Sequence, residues 1–490
     1  MSHLRTGLSV MLALGLAACA TPPSETADAA LARAVQAMGA GQLKTLRYVG
    51  EGTGHTFGQA FTPGSAWPRI TLHSMTRSID YDSASMRDEI VLSRAEPKGG
   101  GGYPISGQQR NDQFVSGELA WNQTGPAASP VATPGPRFVG DRIHQLWITP
   151  HGAVMAALRQ RGTASRGADG ATTVAFEQPG RLRAAVVIDA AGLVSRVDST
   201  FPDPVLGDTA VVTTYSDYRD AGGGVKFPMR VRQTMGGYPT LDLTVKEVQA
   251  NPALAIVVPE AARNQAERVT ADKVAEGVWF IGGGSHNSVA IEQSDHMVLV
   301  ETPLNDARSQ AVIDQVKQLV PGKPIRFVVN SHAHFDHAGG LRTAAAEGAT
   351  IVTQAANAAF LERALAQSNS VRPDRLAQSG RKAMLRPVGD RLDLGDPARP
   401  IELHRIKDSV HGESFLMVYL PREKLLIEAD AYTPGAPGTP PPSPANPNNL
   451  NLVDNIERLQ LAVDRILPLH GRVVPVAELY TTAGRTPATR

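Results

Sequence analysis

The chain has 490 residues, with 48 Lys and Arg against 47 Asp and Glu, and a net charge of +1. With no basic run and no stripe of interleaved basic and aromatic residues, this balance gives no footing to nucleic acid or anionic membrane surfaces as partners. Its single cysteine, Cys19, rules out an internal disulfide, and the length is that of two or three domains.

The chain opens on a short basic head, Met1 to Leu8, followed by the apolar run Ser9 to Ala18 and Cys19. This pattern predicts an export signal over residues 1–19. The run is too short for a spanning helix, which needs about 20 residues. Leu16-Ala17-Ala18-Cys19 resembles the lipobox of bacterial lipoproteins. The resemblance implies a periplasm-facing lipoprotein held to the membrane through a lipidated Cys19 rather than a transmembrane helix. Ala20, rather than Asp, would suit sorting to the outer membrane. Several acyl chains on one cysteine suffice for anchoring where a single chain is marginal. Cleavage near Ala18-Cys19-Ala20 to release a soluble periplasmic protein is the competing reading.

Residues 20–28, rich in Pro, Ser and Thr from Thr21, read as a tether. Ala29, Leu31, Ala32, Val35 and Met38 fall at helical spacing and stop at Gly39-Ala40-Gly41. A β-rich domain is then expected to Val258. Ala184–Asp189 and Leu193–Val197 flank a predicted tight turn, and Thr209–Tyr215, Val225–Val231 and Leu241–Val245 continue a meander across Gly-rich turns. The expectation is an antiparallel sheet with one covered face. Lys98-Gly99-Gly100-Gly101-Gly102-Tyr103-Pro104 lacks the Gly-Lys-Ser/Thr ending of a phosphate-cradling loop and reads as a turn. The half spanning 29–258 distantly resembles the curved half-barrels of periplasmic lipoprotein carriers. That likeness would allow an apolar ligand, a docked partner or substrate presentation; the half reads first as an accessory domain that spaces or shields the active site. His55, His73, His144 and His151 share no spacing and read as structural. A linker over 259–268 leads to the last domain, 269–490.

There the apolar run Ile325-Arg326-Phe327-Val328-Val329 ends in Asn330-Ser331-His332-Ala333-His334-Phe335-Asp336-His337. Imidazole and carboxylate suit zinc and similar divalent ions. With 13 His in the chain, such a pattern arises by chance about once per million start positions. Further candidate ligands follow strand-like segments. His411 lies between Ile401–Ile406 and Ser414–Leu420, Asp430 ends Lys424–Ala429, and His470 ends Arg465–Leu469. His404 alternates with apolar residues and reads as a packed strand residue. His286, beside Asn287, could face the same cleft or simply pack.

This set resembles the metallo-β-lactamase superfamily from about Val269 onward. The resemblance implies an αββα sandwich, and thus an α+β chain with an antiparallel β-rich domain ahead of it. It further implies two zinc ions: His332, His334 and His411 holding the first, Asp336, His337 and His470 the second, with Asp430 bridging. Gly277–Gly282 and Ser288–Ile291 look like the family's first hairpin. Met297–Thr302 ends in Glu301-Thr302 where the family usually has Asp-Thr-Gly. The turns Val410-His411-Gly412-Glu413-Ser414 and Pro468-Leu469-His470-Gly471 also depart from the usual surroundings, without removing a ligand.

Two zinc ions about 3.5–4 Å apart would share a bridging water and make hydroxide available at neutral pH. Asp336 is the expected catalytic residue, orienting that nucleophile. His334, where oxygen-reducing relatives often carry Glu, favours zinc over iron. The expected activity is hydrolysis of a small ester, lactone, thioester or amide, a β-lactam being one member of that range. Two rivals stand beside it: phosphoester or sulfate-ester hydrolysis on the same site, and a non-enzymatic ligand-binding outer-membrane lipoprotein. The Pro-rich stretch Thr433–Pro447 supplies no Arg or Lys, which counts against the first. Seven candidate ligands count against the second, because a structural zinc is closed by four.

Overall fold

A computed structural model describes residues 25–96, 98, 107–125, 129–167, 170–263 and 267–486. The expected export signal with Cys19, and the turn at Gly99–Pro104, lie outside the described residues. No helix among the described residues is long and apolar enough to cross a membrane.

The first folded element is a helix, Ala27–Met38, capped by the Thr26 hydroxyl and closed by Gly39 in a left-handed conformation. An alanine there would drive its Cβ into the Gly224 carbonyl oxygen. Thirteen strands follow among the described residues, in one antiparallel sheet. Six run as a meander from Thr45–His55 to the edge strand Val131–Pro134; seven more run from the other edge, Thr163–Arg166, to Tyr238–Ala250. The last strand pairs with the first, Leu46 opposite Ala250 and Gly54 opposite Leu241.

Between the two edges the chain forms two helices, Val139–Trp147 and Pro150–Arg159, which the β-rich expectation did not foresee. They pack with the first helix on strands from both ends of the sheet, so the sheet curls around them. Leu31, Met38, Leu146, Val154, Val186, Val197 and Phe227 share this core. The apolar face resembling a carrier's binding surface is thus occupied by the chain's own helices. Glu260–Arg263 puts a short helix within the linker, with Ala262 packed against Phe114 and the stacked ring of Trp121.

The second half is a two-sheet sandwich. A seven-stranded sheet runs in chain order from Thr270–Ala275 to Met384–Val388, antiparallel at first and parallel from Met297–Val300 onward. A six-stranded sheet runs from Arg391–Asp396 to Val474–Pro475, with Leu425–Glu428 and Arg465–Pro468 as its parallel pair. Alternation along the strands explains the layering. Val298 and Val300 face the second sheet, against the cluster holding Leu403, Val418 and Ile427. Met297 and Leu299 face outward, onto Val312, Val316 and Leu361 of the helices Asp306–Leu319 and Ala355–Leu365. Covered on both faces, these strands are apolar throughout, as buried parallel strands are. The helices Pro447–Arg458 and Val476–Thr482 add Leu452, Ile456 and Leu479 to the core with the second sheet. The order helix, sheet, sheet, helix is the αββα sandwich expected.

Candidate metal centre

All seven sequence-predicted ligands converge at one edge of the sandwich. The strand Ile325–Val329 delivers His332 to His337 in its following turn and the short helix Phe335–Ala338. Glu428 and Pro468 lie opposite each other at the ends of parallel strands, so Asp430 and His470 emerge together. The Leu416 N–H donates to the Ser331 carbonyl at 2.8 Å, tying the second sheet to the first ligand turn. A buried chain of polar side chains reinforces that tie. Ser414 donates to Asn357, Asn357 to Thr353 at 2.9 Å, Thr353 to Asn330 at 3.1 Å, and the Asn330 amide to the His332 carbonyl at 2.7 Å. Ser409 accepts from the backbone N–H groups of His411 and Gly412, shaping the turn that carries the third imidazole.

The ligand atoms fall into two groups, each with its members within 4.8 Å of one another: His332, His334, His411 and Asp430, and His286, Asp336, His337 and His470. Asp430 also reaches the second group. One of its oxygens is 2.9 Å from His411 Nε2, and the other is 2.9 Å from both His337 Nε2 and His470 Nε2. It is therefore placed between the groups, as a bridging ligand must be. His404 lies outside both, paired with Glu402 at 2.8 Å in its strand.

The donor chemistry of these groups fits a cation. His470 Nδ1 faces the Ser285 carbonyl at 2.7 Å and carries a hydrogen there, so that in the neutral ring Nε2 is the nitrogen free for a metal. His334 Nε2 likewise donates to the Ala60 carbonyl at 3.2 Å, leaving Nδ1 buried without a partner. His332 Nε2 and His411 Nε2 stand 3.2 Å apart, as do His337 Nε2 and His470 Nε2. Imidazole nitrogens converging on one another and on carboxylate oxygens suit a shared positive charge between them.

Electrostatics hold His332, His334 and both carboxylates in the form that binds a cation. Burial pushes His334 down to about 3 and, with the neighbouring imidazoles, holds His332 well below the usual histidine range. Burial would raise both carboxylates, but the imidazoles around them prevail. His337 and His286 hold Asp336 well below its ordinary value, and His337, His411 and His470 do the same for Asp430. His337 itself is driven well above its usual range, against burial, by Asp430, Asp336 and Glu301.

Two residues near the ligands gain roles the sequence left open. His286 is buried, with Nε2 3.2 Å from an Asp336 oxygen, and Arg308 donates to its carbonyl at 2.7 Å. Glu301, at the strand end where the family usually has Asp, accepts from the Ser331 N–H at 2.7 Å and lies 3.3 Å from His337 Nδ1. Its backbone is strained, with a φ of +68°. The Pro-rich stretch after Asp430 packs on the other side, Pro434 against Gly471 beside His470.

Comparison with known proteins bears on the same region. The metallo-beta-lactamase superfamily model matches residues 281–470. Solved structures similar to this chain include a metallo-beta-lactamase from Pontibacter korlensis, at 15% identity and a TM-score of 0.35, covering 44% of this chain and 98% of its own. Another is the FIM-1 metallo-beta-lactamase from Pseudomonas aeruginosa in a mono-zinc form, at 19% identity and a TM-score of 0.33, covering 44% of this chain and 93% of its own. No curated protein matches the chain. Residues 281–470, with all seven expected ligands among them, are accordingly a metallo-β-lactamase superfamily domain, set behind an antiparallel β-rich sheet.

Proposed function

We propose that the protein is an exported zinc-dependent hydrolase acting on a small ester, lactone, thioester or amide, with a β-lactam inside that range. The observation that carries this reading is the placing of Asp430 within 2.9 Å of imidazoles from both groups, which suits two metals rather than one closed structural ion. His332, His334 and His411 would hold one zinc, Asp336, His337 and His470 the other, and Asp430 both. When bound, such a pair supplies hydroxide at neutral pH and polarises the scissile carbonyl.

The chain's own groups do the rest. Asp336 keeps an ionised carboxylate at the mouth of the second group, where it can orient a nucleophile and accept its proton. Ser331, whose hydroxyl meets His332 Nδ1 at 2.9 Å, and Glu301, 3.3 Å from His337 Nδ1, orient two of the rings, while Asn330 holds the backbone of the ligand turn, which limits the reorganisation the reaction demands. Support for export rests on the leader sequence and the lipobox-like Leu16-Ala17-Ala18-Cys19, which would leave the site facing the periplasm.

Purified protein should hold two equivalents of zinc. Screened across lactam, lactone, thioester and phosphodiester substrates, it should lose its hydrolysis when they are chelated. Asp336→Ala and His334→Ala should each abolish turnover; hydrolysis retained by both would sink the site assignment. Cys19→Ala should release the protein from the membrane fraction, and an unchanged distribution would remove the lipoprotein reading.

A further inference from the structure

The N-terminal sheet reaches into the metal centre. The loop of residues 56–68, between the strands Thr45–His55 and Arg69–Asp80, lies against the ligand turn and grips three consecutive residues there. The Ala60 carbonyl accepts from His334 Nε2 at 3.2 Å. The Gly58 carbonyl accepts from the Phe335 backbone N–H at 3.1 Å. Gln59 Nε2 donates to Asp336 Oδ1 at 2.9 Å. Phe335, the residue between two candidate ligands, sends its ring into the other domain, where Phe57 and Trp67 meet it edge-on at 5.3 and 5.4 Å.

The loop is itself well held. Tyr238 donates to the Gly64 carbonyl at 2.5 Å, and its ring meets Trp67 at 5.6 Å. Across the cleft, the Phe61 carbonyl accepts from the Glu413 N–H at 2.9 Å, two residues beyond His411. Gly58 is where the close approach is possible. Its φ is +78°, and a Cβ there would lie 2.6 Å from Phe335 Cγ.

We propose that Gln59 is a positioning residue of the metal centre, supplied by the N-terminal sheet, and that the 56–68 loop is thereby a wall of the catalytic cleft. A carboxylate ligand with both oxygens free can rotate, or chelate through both. The Gln59 amide pins Oδ1, so Asp336 presents Oδ2, the oxygen facing His286 and His337. The Ala60 carbonyl acts in the same sense on His334, fixing the hydrogen on Nε2 and the lone pair on Nδ1. The sheet is then part of the active site rather than a spacer. This inference rests on the two-metal reading and adds to it Gln59 and Ala60, which that reading does not use.

The test is metal titration of the full-length, metal-free protein with cobalt(II), following its absorption bands, and with zinc(II) against a chromophoric chelator. Gln59→Met keeps the side-chain length but removes the donor; Gln59→Ala removes both. The expected result is that each loosens the second equivalent about 10–100-fold and alters its cobalt spectrum, while the first equivalent binds as before. A Gln59→Met protein with wild-type affinity and spectrum would overturn the proposal, even if Gln59→Ala were weakened, because packing alone would then explain the loop. Thermal unfolding of metal-free Gln59→Met should match wild type; a large loss of stability would also count against a positioning role. Wild-type protein taking up fewer than two equivalents would remove the two-metal reading itself, and the role of Gln59 with it.

Discussion

Glu301→Gln isolates what a buried carboxylate does for a ligand it never shares a metal with. Glu301 is 1% exposed, and its two oxygens have separate duties, one on the Ser331 N–H at 2.7 Å and one 3.3 Å from His337 Nδ1. His337 Nε2 must stay bare for a metal, so its hydrogen belongs on Nδ1, facing Glu301. Glutamine fills the same space but brings an NH2. With its oxygen on Ser331 it turns two donors toward each other at His337; flipped, it does so at Ser331. Either way one buried N–H faces another donor where it now faces a carboxylate oxygen, at about 1–3 kcal/mol. At about 1.4 kcal/mol per tenfold, that is roughly a 5–150-fold loss of affinity for the second metal, in line with the 10–100-fold typical of outer partners. Zinc competition against a chromophoric chelator reads it directly, with Glu301→Asp, which keeps the charge on a shorter arm, falling between. A Glu301→Gln protein that binds its second equivalent within about twofold of wild type would refute the reasoning.

Three further outcomes follow from other parts of the structure. Asp430→Asn should cost uptake of both metals, since a single carboxylate serves imidazoles of both groups; one equivalent bound at wild-type affinity would show that it does not bridge. The N-terminal half should be acid-sensitive: in its two inner helices burial holds His144 at about 3 and His151 at about 4, so the folded state refuses protons that the unfolded chain takes up near 6.5. The stability is present above that value and is lost as pH falls through it, by about 2 kcal/mol for each histidine at pH 5, and urea unfolding of metal-free protein that is flat between about pH 7.5 and 5 would contradict this. Gly340→Ala would place a Cβ on top of Ser309 Oγ and 2.7 Å from the Thr302 carbonyl, just past the ligand turn. Overpacking of about 1–3 kcal/mol should lower the melting temperature by about 2–4 °C for each kcal/mol, and an unchanged melting point would show that the turn yields freely.

How much of the fold and the site is legible in the sequence depends on the distance along the chain over which each contact acts. His332, His334, Asp336 and His337 share one turn, and Asp430 and His470 each end an apolar strand, so local pattern is enough to find them. The later meander is equally legible because glycine turns separate Val225–Val231 from its neighbours. The helices Val139–Trp147 and Pro150–Arg159 are not, since buried polar residues such as Arg142, His144 and His151 blur their apolar faces. Arg142 is nevertheless satisfied, by the carbonyls of Phe114 and Trp121 at 2.8 Å. His286 carries no spacing signal linking it to the other ligands. Gln59 is beyond reach of any pattern: 277 positions separate it from Asp336, and only the docking of the two halves brings them together.

The pairing of the first strand with the last has a mechanical consequence. Leu46 lies opposite Ala250, so the chain leaves the sheet at the end remote from the 56–68 loop. A strand of 11 residues is about 35 Å long, and the described part of the linker, through Ala262, packs against Phe114 and Trp121 on its way to the second half. The halves are thus fastened by a covalent strap, by the loop at the metal centre, and by Asp208, which accepts from Ser370 and Val371. A body clamped at separated points does not swing on a hinge. On the proposed reading a substrate would then enter through a fixed opening, and the shape of that opening, rather than any parting of the domains, would select what reaches the metals.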